Sequence, residues 1–300
     1  MNNKLITVFG VGFIGKSLIF QLLKQGYIVR AVCRKPYLKG FMRSMGSIGQ
    51  LDITYGDITK KETIEKFFKN SEIIINLVGV LAENSKNKYQ NAHVNGPSNI
   101  GELSKKYNIQ RLIHISSIGA NVKSEIKYQK TKGVGEAAIL ESFGTSTIIR
   151  PSIVFGPDDG FFNVQAKLLK VSPIIPLFGG GKNKFQPIYV NDLVDGIIKI
   201  INNSETKSKI YEFGGPDIIS MKEVYQYISQ ELKLKRLLIV TPILVARVMA
   251  MFMQMLPNPI ITPDLVKALE VDNIVSGNFQ GIESLGINPK SIYSVVPTYL

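Results

Sequence analysis

Cysteine, histidine and tryptophan are nearly missing from this 300-residue chain, which has one cysteine, two histidines and no tryptophan. A single cysteine, Cys33, excludes an internal disulfide framework and is typical of a protein from a reducing compartment. His93 and His114 are the only histidines, and no Cys/His cluster has the spacing of metal ligands. The sequence therefore predicts no zinc or other metal site.

Acidic residues are also few, with 23 Asp and Glu against 36 Lys and Arg, for a formal net charge of +13. Such an excess attracts nucleic acid, anionic lipid or anionic cofactors. The lysines are scattered and form no basic stripe with aromatics, so we expect a basic surface with phosphate affinity and no nucleic-acid partner. Met1 to Lys4 lead directly into an apolar run, which predicts a cytoplasmic protein without a signal peptide.

The clearest motif lies near the start, where Leu5 to Gly15 read LITVFGVGFIG. An apolar, β-branched run that stops at a glycine is typical of a strand buried in a parallel sheet. Gly10, Gly12 and Gly15 then give G-x-G-x-x-G ahead of a helical pattern. In a dinucleotide-binding turn these glycines permit the turn, the approach of the pyrophosphate and the packing of helix on strand. A flexible structural turn is the alternative.

The end of the second predicted strand, Ile28 to Cys33, indicates which dinucleotide binds. NAD sites use an acidic residue there, which accepts a hydrogen bond from the ribose 2′-OH. This chain has Arg34 and Lys35 and no carboxylate nearby. Two cations suit a 2′-phosphate, so NADP(H) is favoured and NAD(H) is the second choice. Alternatively, both are solvated turn residues.

Strand and helix patterns alternate along the first half of the chain, which predicts an α/β fold with a Rossmann-type, doubly wound parallel sheet. Further strands are expected at Leu51 to Tyr55, Ile73 to Val78 and Arg111 to Ile115, with a long helix from Tyr89 to Tyr107. Ligands of such sheets bind at the carboxyl ends of the strands. The predicted nucleotide-binding residues are Gly10, Gly12, Phe13, Ile14, Gly15, Arg34, Lys35, Asp57, Ile58, Val78, Gly79, Lys132 and Pro151.

The candidate catalytic residues are Ser117, Tyr128 and Lys132. Tyr128 and Lys132 form the chain's single Tyr-x-x-x-Lys spacing, which follows the serine-bearing strand end and opens a helix. On a helix the two side chains share a face, so we expect the Lys132 ammonium to lower the pKa of Tyr128 for acid/base work. Ser117 would donate a hydrogen bond to a substrate oxygen, and Lys132 would also hold the nicotinamide ribose. An exposed Tyr and Lys on a surface helix are the alternative.

Together, the glycine turn and these three residues resemble the short-chain dehydrogenase/reductase superfamily in its extended or atypical branch. Over roughly Lys4 to Val275, further segments most resemble the NADPH-binding accessory subunit family of respiratory complex I and its bacterial relatives. These segments are His93–Pro97, His114–Ala120, Ile149–Gly156, Pro176–Gly181, Phe185–Asp192, Tyr211–Pro216, Pro257–Asp264 and Asp272–Asn273. One departure is the glycine turn, which is a residue shorter than that family's usual G-x-x-G-x-x-G.

The resemblance implies an NADP(H)-binding accessory or assembly protein linked to complex I or quinone metabolism, with a respiratory complex or membrane-associated protein as partner. An active NADP-dependent oxidoreductase on a hydroxyl or carbonyl substrate is the rival, and a nucleotide-sugar epimerase or dehydratase is the third reading. We expect residues 1–155, with returning segments near 185–216, to form the nucleotide-binding domain. Residues 156–300 would form a smaller interleaved lobe, with strands at Ile188 to Val190 and Ile210 to Phe213 returning to the main sheet.

A strongly apolar segment, 237–256, follows Lys233, Lys235 and Arg236. Its length would suffice for a membrane span, but Pro242 and a central Arg247 oppose one. As a helix it would be apolar around most of its circumference and would need cover on several sides. Burial in the smaller lobe is one reading; docking on a partner or peripherally on the inner face of the respiratory membrane is the other.

Overall fold

The structure is a computed structural model that describes residues 4–83, 87–253 and 262–300. The strands are β1 (Leu5–Phe9), β2 (Ile28–Cys33), β3 (Leu51–Tyr55), β4 (Ile73–Asn76), β5 (Arg111–Ile115), β6 (Thr147–Pro151), β7 (Val154–Phe155), β8 (Ile174–Phe178), β9 (Lys184–Phe185), β10 (Ile188–Tyr189), β11 (Ile210–Phe213), β12 (Ile219–Ser220) and β13 (Leu237–Thr241). The α-helices are α1 (Phe13–Lys24), α2 (Lys61–Ile64), α3 (Gly96–Lys106), α4 (Lys127–Ser142), α5 (Phe162–Val171), α6 (Val190–Asn202), α7 (Met221–Glu231), α8 (Ile243–Met253), α9 (Pro263–Ala268) and α10 (Ile292–Val295).

Seven strands form the main sheet in the order β11-β6-β5-β4-β1-β2-β3. The pairings from β6 through β3 are parallel, as the alternation of strand and helix patterns predicts. The order reverses at β1, from which the chain runs outward first through β2 and β3 and then through β4, β5 and β6. This reversal is the switch point beside which ligands of doubly wound sheets bind. The predicted α/β Rossmann-type fold is confirmed.

Two compact units make up the chain. The first consists of Met1–Arg150 and Val194–Tyr211, and the second of Pro151–Leu193 and Glu212–Leu300. In the first unit, strand and helix side chains form one buried cluster, which includes Phe9, Ile74, Leu112 and Ile148 from strands, Ile100 and Leu103 from α3, and Ile139 from α4. Helix α1 ends cleanly because Gly26 follows it with a φ of +82°, a left-handed conformation that favours glycine.

The second unit contains three two-stranded sheets, β7-β10, β9-β12 and β8-β13. Its core packs aromatic and aliphatic side chains from β7, α5, β8, α7 and the last helical turns of the chain, including Phe155, Phe162, Leu177, Val224 and Ile292. A smaller cluster joins Ala246 and Ala250 of α8 to Val266 of α9. No helix in the described part of the chain is long and apolar enough to cross a membrane.

Several predicted elements differ from the structure. The strand at Ile188–Tyr189 pairs with β7 and does not return to the main sheet, whereas Ile210–Phe213 does. The expected long helix before β5 starts with a π-helical turn, Gln90–Asn95, and becomes α-helical at Gly96. A single helix over 237–256 is wrong, because β13 pairs with β8 before α8 begins. Residues 254–256 lie outside the described residues.

Candidate active site at the carboxyl edge of the sheet

The predicted site residues follow strands whose carboxyl ends lie side by side. Phe9 is in register with both Val32 and Asn76, and Asn76 is in register with His114, so β1, β2, β4 and β5 end within about one residue of each other. The segments that share this edge are Gly10–Gly15 after β1, Arg34 and Lys35 after β2, Asp57 and Ile58 after β3, Val78 and Gly79 after β4, and Ser116 and Ser117 after β5. Pro151 is the buried last residue of β6.

The three glycines of the first turn have different surroundings. Gly10 has a φ of +101°, and a Cβ there would lie 3.1 Å from the Leu77 backbone. A Cβ at Gly15 would overlap the carbonyl oxygen of Gly10, so this position brings helix and strand together. A Cβ at Gly12, in contrast, would have no atom of the described residues within 4 Å. The first and third glycines are therefore required by packing, and open space lies beside the second.

Helix α1 begins at this open space. Gly12 is its N-cap and, having no side chain, makes no capping hydrogen bond to the N–H groups of the first turn. The first intrahelical bond here joins the Lys16 N–H to the Gly12 carbonyl. Free N–H groups and the positive end of the helix dipole suit a phosphate group. The three-residue turn, although shorter than the pattern it resembles, thus keeps an anion-binding geometry.

The residues predicted to recognise the adenosine half occupy the next two strand ends. Arg34 is exposed, and its Nη1 donates to Asn87 Oδ1 at 2.6 Å. Lys35 is exposed as well. Asp57 accepts from the Thr59 N–H at 3.0 Å and the Thr59 hydroxyl at 2.8 Å, so its carboxylate stabilises a turn. Ile58 is only 4% exposed and belongs to the core; its contact with a nucleotide stays a prediction.

Ser117, just after β5, lies close to Tyr128 on α4. Burial raises the pKa of Tyr128, and the neighbouring Ser117 side chain partly offsets this increase. The contact is too loose to count as a hydrogen bond, because Ser117 Oγ has no hydrogen-bond partner among the described residues. Ser116 Oγ is buried and equally unpartnered within the described chain. Two adjacent buried hydroxyls without partners, at the edge where ligands bind, leave donors for a bound molecule.

Lys132 is 4% exposed, and its Nζ donates to the Ile115 carbonyl at 2.9 Å. Burial lowers its pKa to about 8, although the carboxylate of Glu136 acts in the opposite direction. The expected lowering of the Tyr128 pKa by Lys132 is therefore wrong for this chain, since burial dominates and raises that pKa.

His93 was overlooked as a site residue and connects three parts of the site. Its Nε2 accepts from the Val80 N–H at 3.1 Å, and its Nδ1 lies 3.1 Å from Thr131 Oγ1. Because a backbone N–H only donates, Nε2 carries no proton and Nδ1–H donates to Thr131. Burial, and next the charge of Lys132, lower the His93 pKa to about 3, so the ring is neutral at pH 7.

The aromatic rings around His93 fix the position of Tyr128. His93 stacks on Tyr89 with ring centroids 5.1 Å apart, and Tyr128 meets the two rings edge-on at 5.3 Å and 5.7 Å. Such edge-to-face contacts are favourable and directional. A Cβ at Gly135 would overlap the His93 carbonyl oxygen, so glycine there lets α4 approach the π-helical turn. The clue in the sequence was the glycine three residues after Lys132.

A second overlooked feature is the ion pair of Glu136 with Arg150. The guanidinium donates to both carboxylate oxygens, with a shortest distance of 2.6 Å, and the side chains are 5% and 14% exposed. Glu136 lies one turn beyond Lys132 on the same face of α4. The i, i+4, i+8 spacing of Tyr128, Lys132 and Glu136 could have identified it.

These observations fit a nicotinamide dinucleotide. The open space at Gly12 and the uncapped helix start suit a pyrophosphate. The unpartnered hydroxyls of Ser116 and Ser117 suit a polar ligand farther along the edge. Within the described residues, no group of three or more His, Cys, Asp or Glu side chains is arranged to hold a metal ion.

Known proteins were compared with this chain by sequence. The profile of the NAD dependent epimerase/dehydratase family matches residues 6–214. The chain is 30% identical to the mitochondrial NADH dehydrogenase (ubiquinone) 1 alpha subcomplex subunit 9 of Mus musculus, over 94% of this chain and 76% of that protein. It is 27% identical to the mitochondrial NADH-ubiquinone oxidoreductase 40 kDa subunit of Neurospora crassa, over 98% of this chain and 78% of that protein.

Solved structures agree in fold. UDP-glucose 4-epimerase from Thermotoga maritima, solved with UDP-glucose, has a TM-score of 0.70 at 17% identity, over 98% of this chain and 97% of that one. The dTDP-glucose 4,6-dehydratase from Bacillus anthracis, solved with NAD, has a TM-score of 0.66 at 21% identity, over 80% and 84%. The chain therefore belongs to the NAD dependent epimerase/dehydratase family, an extended branch of the NAD(P)-binding short-chain dehydrogenases/reductases, and is related to a subunit of respiratory complex I.

Proposed function

We propose that this protein is an NADP(H)-binding accessory or assembly factor of a respiratory NADH dehydrogenase, or of quinone metabolism, that works in the cytoplasm at the inner face of the respiratory membrane. The observation that carries the proposal is the relationship, over 94% of the chain, to a respiratory-complex subunit. The site geometry supports the nucleotide part, because open space, an uncapped helix and unpartnered hydroxyls lie along one sheet edge.

The residues of this edge would divide the nucleotide between them. The backbone of the glycine turn and α1 would bind the pyrophosphate, and Arg34 with Lys35 would bind the 2′-phosphate. Lys132 would hold the nicotinamide ribose. Arg34 must exchange its bond to Asn87 for the phosphate, a change that costs little because both groups lie at the surface.

The test of cofactor choice is a titration of the protein with NADPH and NADH. A charge-assisted contact with the 2′-phosphate is worth about 1.5–3 kcal/mol, so NADPH should bind about ten- to a hundredfold more tightly. Arg34→Ala should remove most of this preference. Lys209→Ala is the matched control, since this exposed lysine precedes β11 at the amino edge of the sheet. Equal affinities for both nucleotides would contradict the assignment.

The accessory role is tested by native purification from the source cell. The protein should co-migrate with a respiratory assembly and retain nucleotide. Arg34→Ala should weaken both retention of the nucleotide and co-migration, if the nucleotide holds the protein in its binding conformation. A protein that migrates alone, with or without nucleotide, would refute the accessory role.

A working oxidoreductase is the second candidate, because Ser117, just after β5, lies near Tyr128 and Lys132 of α4. When bound, the nicotinamide would exchange a hydride with the substrate carbon. Tyr128 would donate or accept the proton at the substrate oxygen, and Ser117 would donate a hydrogen bond to that oxygen. His93 would keep Tyr128 in place without taking part in proton transfer, since its ring is neutral and both nitrogens are engaged.

Tyr128→Phe separates the two candidates. It removes one hydroxyl and should leave NADPH affinity nearly unchanged in either case. NADPH oxidation should be assayed against quinones, ketones and nucleotide sugars by near-ultraviolet absorbance. A wild-type turnover that falls by about 10²–10⁴-fold in Tyr128→Phe would establish oxidoreductase activity, which would then be preferred over the accessory role as the function of this protein. No turnover in the wild-type protein with any substrate class would refute the oxidoreductase.

A further inference from the structure

The second unit has exposed apolar side chains on four elements, α5, β8, β13 and α8. On α5, Val164, Leu168 and Val171 are 51%, 41% and 85% exposed. They recur at helical spacing on the side opposite Phe162, Ala166 and Leu169, which are buried. Helix α5 therefore has apolar side chains on its exposed side as well as on its buried side, whereas the exposed side of a surface helix is usually polar.

The β8-β13 pair continues this surface. In its parallel register Leu237 lies beside Ile174, and Ile239 lies beside Pro176. The alternate residues Ile175 and Leu177 are buried in the core, so these four apolar side chains share the opposite, exposed face. Leu237 and Ile174 are 59% and 49% exposed.

Helix α8 adds the last part of this exposed apolar surface. Only two of its residues, Ala246 and Ala250, are fully buried, and they pack on Val266. Leu244 and Phe252 are each 65% exposed. Because β8 pairs with β13 and α8 packs on Phe178 at the end of β8, these exposed apolar side chains lie on neighbouring elements, as at interaction sites of soluble proteins. We name the exposed apolar side chains of α5, β8, β13 and α8 the apolar face.

The charges within and beside the apolar face have one sign. Segments 164–174 and 233–253 together contain six basic residues and no acidic residue. Lys167 lies within the exposed stripe of α5, and Lys170 is exposed near its end. Arg236 Nε donates to the Leu169 carbonyl at 2.6 Å, which brings the basic start of β13 against the end of α5. Of the six, Arg247 alone pairs with a carboxylate in the described structure, Glu270.

The combination of exposed apolar side chains and positive charge distinguishes between three possible binding partners: a second copy of the chain, another protein and a membrane. A second copy of the chain would bring the same basic segments against each other across a two-fold axis, and like charges oppose that contact. Protein interfaces are depleted in lysine and use aromatic anchors, whereas the apolar face is mostly aliphatic, with Phe252 as an exposed aromatic side chain on α8, and is interspersed with lysine. Lysines beside aliphatic side chains are typical of the membrane interface, where the ammonium groups reach the headgroups.

We infer that the apolar face docks the protein on the surface of an anionic bilayer, with aliphatic side chains at the acyl boundary and Lys167, Lys170 and Lys235 at the phosphate headgroups. The inference rests on the proposed function only for the location at a respiratory membrane. It adds the surface that makes the contact and the lipid charge that the contact requires. Nucleotide binding is not needed for it.

The test is co-sedimentation of the full chain with vesicles of phosphatidylcholine alone, or of phosphatidylcholine mixed with phosphatidylglycerol, at low and high salt. The protein should bind the mixed vesicles, bind the neutral ones far less and be released by salt. Each basic residue at an anionic surface is worth about fivefold in binding. Lys167→Gln with Lys170→Gln should therefore weaken binding about 25-fold, and Leu244→Ser with Val248→Ser by about tenfold or more.

Matched controls remove the same groups elsewhere. Lys69→Gln with Lys105→Gln makes the same charge change at exposed positions of the first unit, and Ile48→Ser removes a fully exposed apolar side chain there. Both controls should bind vesicles as the wild-type protein does. Equal losses in control and test variants would refute the inference in favour of unspecific attraction to a protein of charge +13.

Two other results would also overturn it. One is equal binding to neutral and anionic vesicles. The other is no vesicle binding, whether or not sedimentation velocity shows a self-association that Leu244→Ser abolishes. The NADPH dissociation constant of each variant is measured in parallel and should not change. A failure of vesicle binding with normal NADPH affinity removes this inference alone, and a failure of NADPH binding with normal docking removes the proposed nucleotide function alone.

Discussion

Replacing the buried lysine of the site should make the protein more stable at neutral pH. Burial lowers the pKa of Lys132 from its ordinary value of 10.5 to about 8 in the folded protein. At pH 7 the ammonium is charged in both states, and its burial costs about 3 kcal/mol. Lys132→Met keeps the length and apolar stem of the side chain but removes this cost.

Two local effects set the net gain. The hydrogen bond from Lys132 to the Ile115 carbonyl is lost, which costs about 1–1.5 kcal/mol. Glu136 does not become an isolated charge, since Arg150 holds both of its carboxylate oxygens. The free energy of unfolding of Lys132→Met should therefore exceed that of the wild-type protein by about 1.5–2 kcal/mol at pH 7.

The gain should depend on pH in a defined direction. The folded pKa lies below the unfolded one, so between about pH 8 and 10.5 the unfolded chain binds more protons than the folded protein. The lysine-dependent part of the free energy of unfolding then rises with pH. At pH 9.5 the cost of burial falls to about 1.4 kcal/mol, which the lost hydrogen bond nearly offsets, so wild type and Lys132→Met should be about equally stable.

The assay is urea unfolding followed by far-ultraviolet circular dichroism at pH 7 and pH 9.5, since the chain has no tryptophan. Comparing the variant with the wild type cancels the titration of all other groups. Lys130→Met is the matched control, because Lys130 is exposed on the same helix. A variant that is less stable at pH 7, or a difference that does not change with pH, would refute the reasoning.

Three further predictions concern the residues around the site. Gly15→Ala should destabilise the protein and abolish nucleotide binding, as its Cβ would overlap the Gly10 carbonyl, and thermal unfolding with and without NADPH checks this. Glu136→Leu should cost about 3–5 kcal/mol because it removes the carboxylate that pairs with the largely buried Arg150 guanidinium; a loss below about 1 kcal/mol in urea would contradict it. His93→Phe should reduce the loss of stability on acidification between about pH 6.5 and 3. In this range His93 of the wild-type protein is protonated in the unfolded chain but not in the folded protein, which lowers the free energy of unfolding. Acid-induced unfolding of both proteins measures the difference.

Local patterns were sufficient to predict the first half of the main sheet. β1, β2, β3 and β5 match their predicted bounds, because short β-branched runs bounded by glycine or by charged residues have few other stable conformations. The nucleotide edge followed from the same patterns, since parallel strands place their carboxyl ends together. Gly10 and Gly15 behave as the motif predicts, one through its backbone conformation and one through close packing.

Features that depend on distant partners could not be predicted in this way. The apolar run from Leu237 fits helix and strand equally well, and only pairing with Ile174–Phe178 makes its first part a strand. The pKa of Tyr128 is raised, opposite to the expectation, because burial of its side chain dominates and the sequence spacing of Tyr128 and Lys132 does not show burial. His93 joins Val80 to Thr131 through contacts that no spacing rule encodes.

The order in which the strands of the main sheet are synthesised affects how the nascent chain folds. β11 is the outermost strand beside β6, yet β7 to β10 are synthesised between the two. Until the ribosome has released Ile210–Phe213, β6 has an open hydrogen-bonding edge that can pair with another nascent chain. The returning segment also brings Thr206 to Arg111 and Asn202 to Tyr27. A fragment that stops at Arg150 would lack both partners and this strand, so the nucleotide-binding unit becomes a complete folding unit only late in translation.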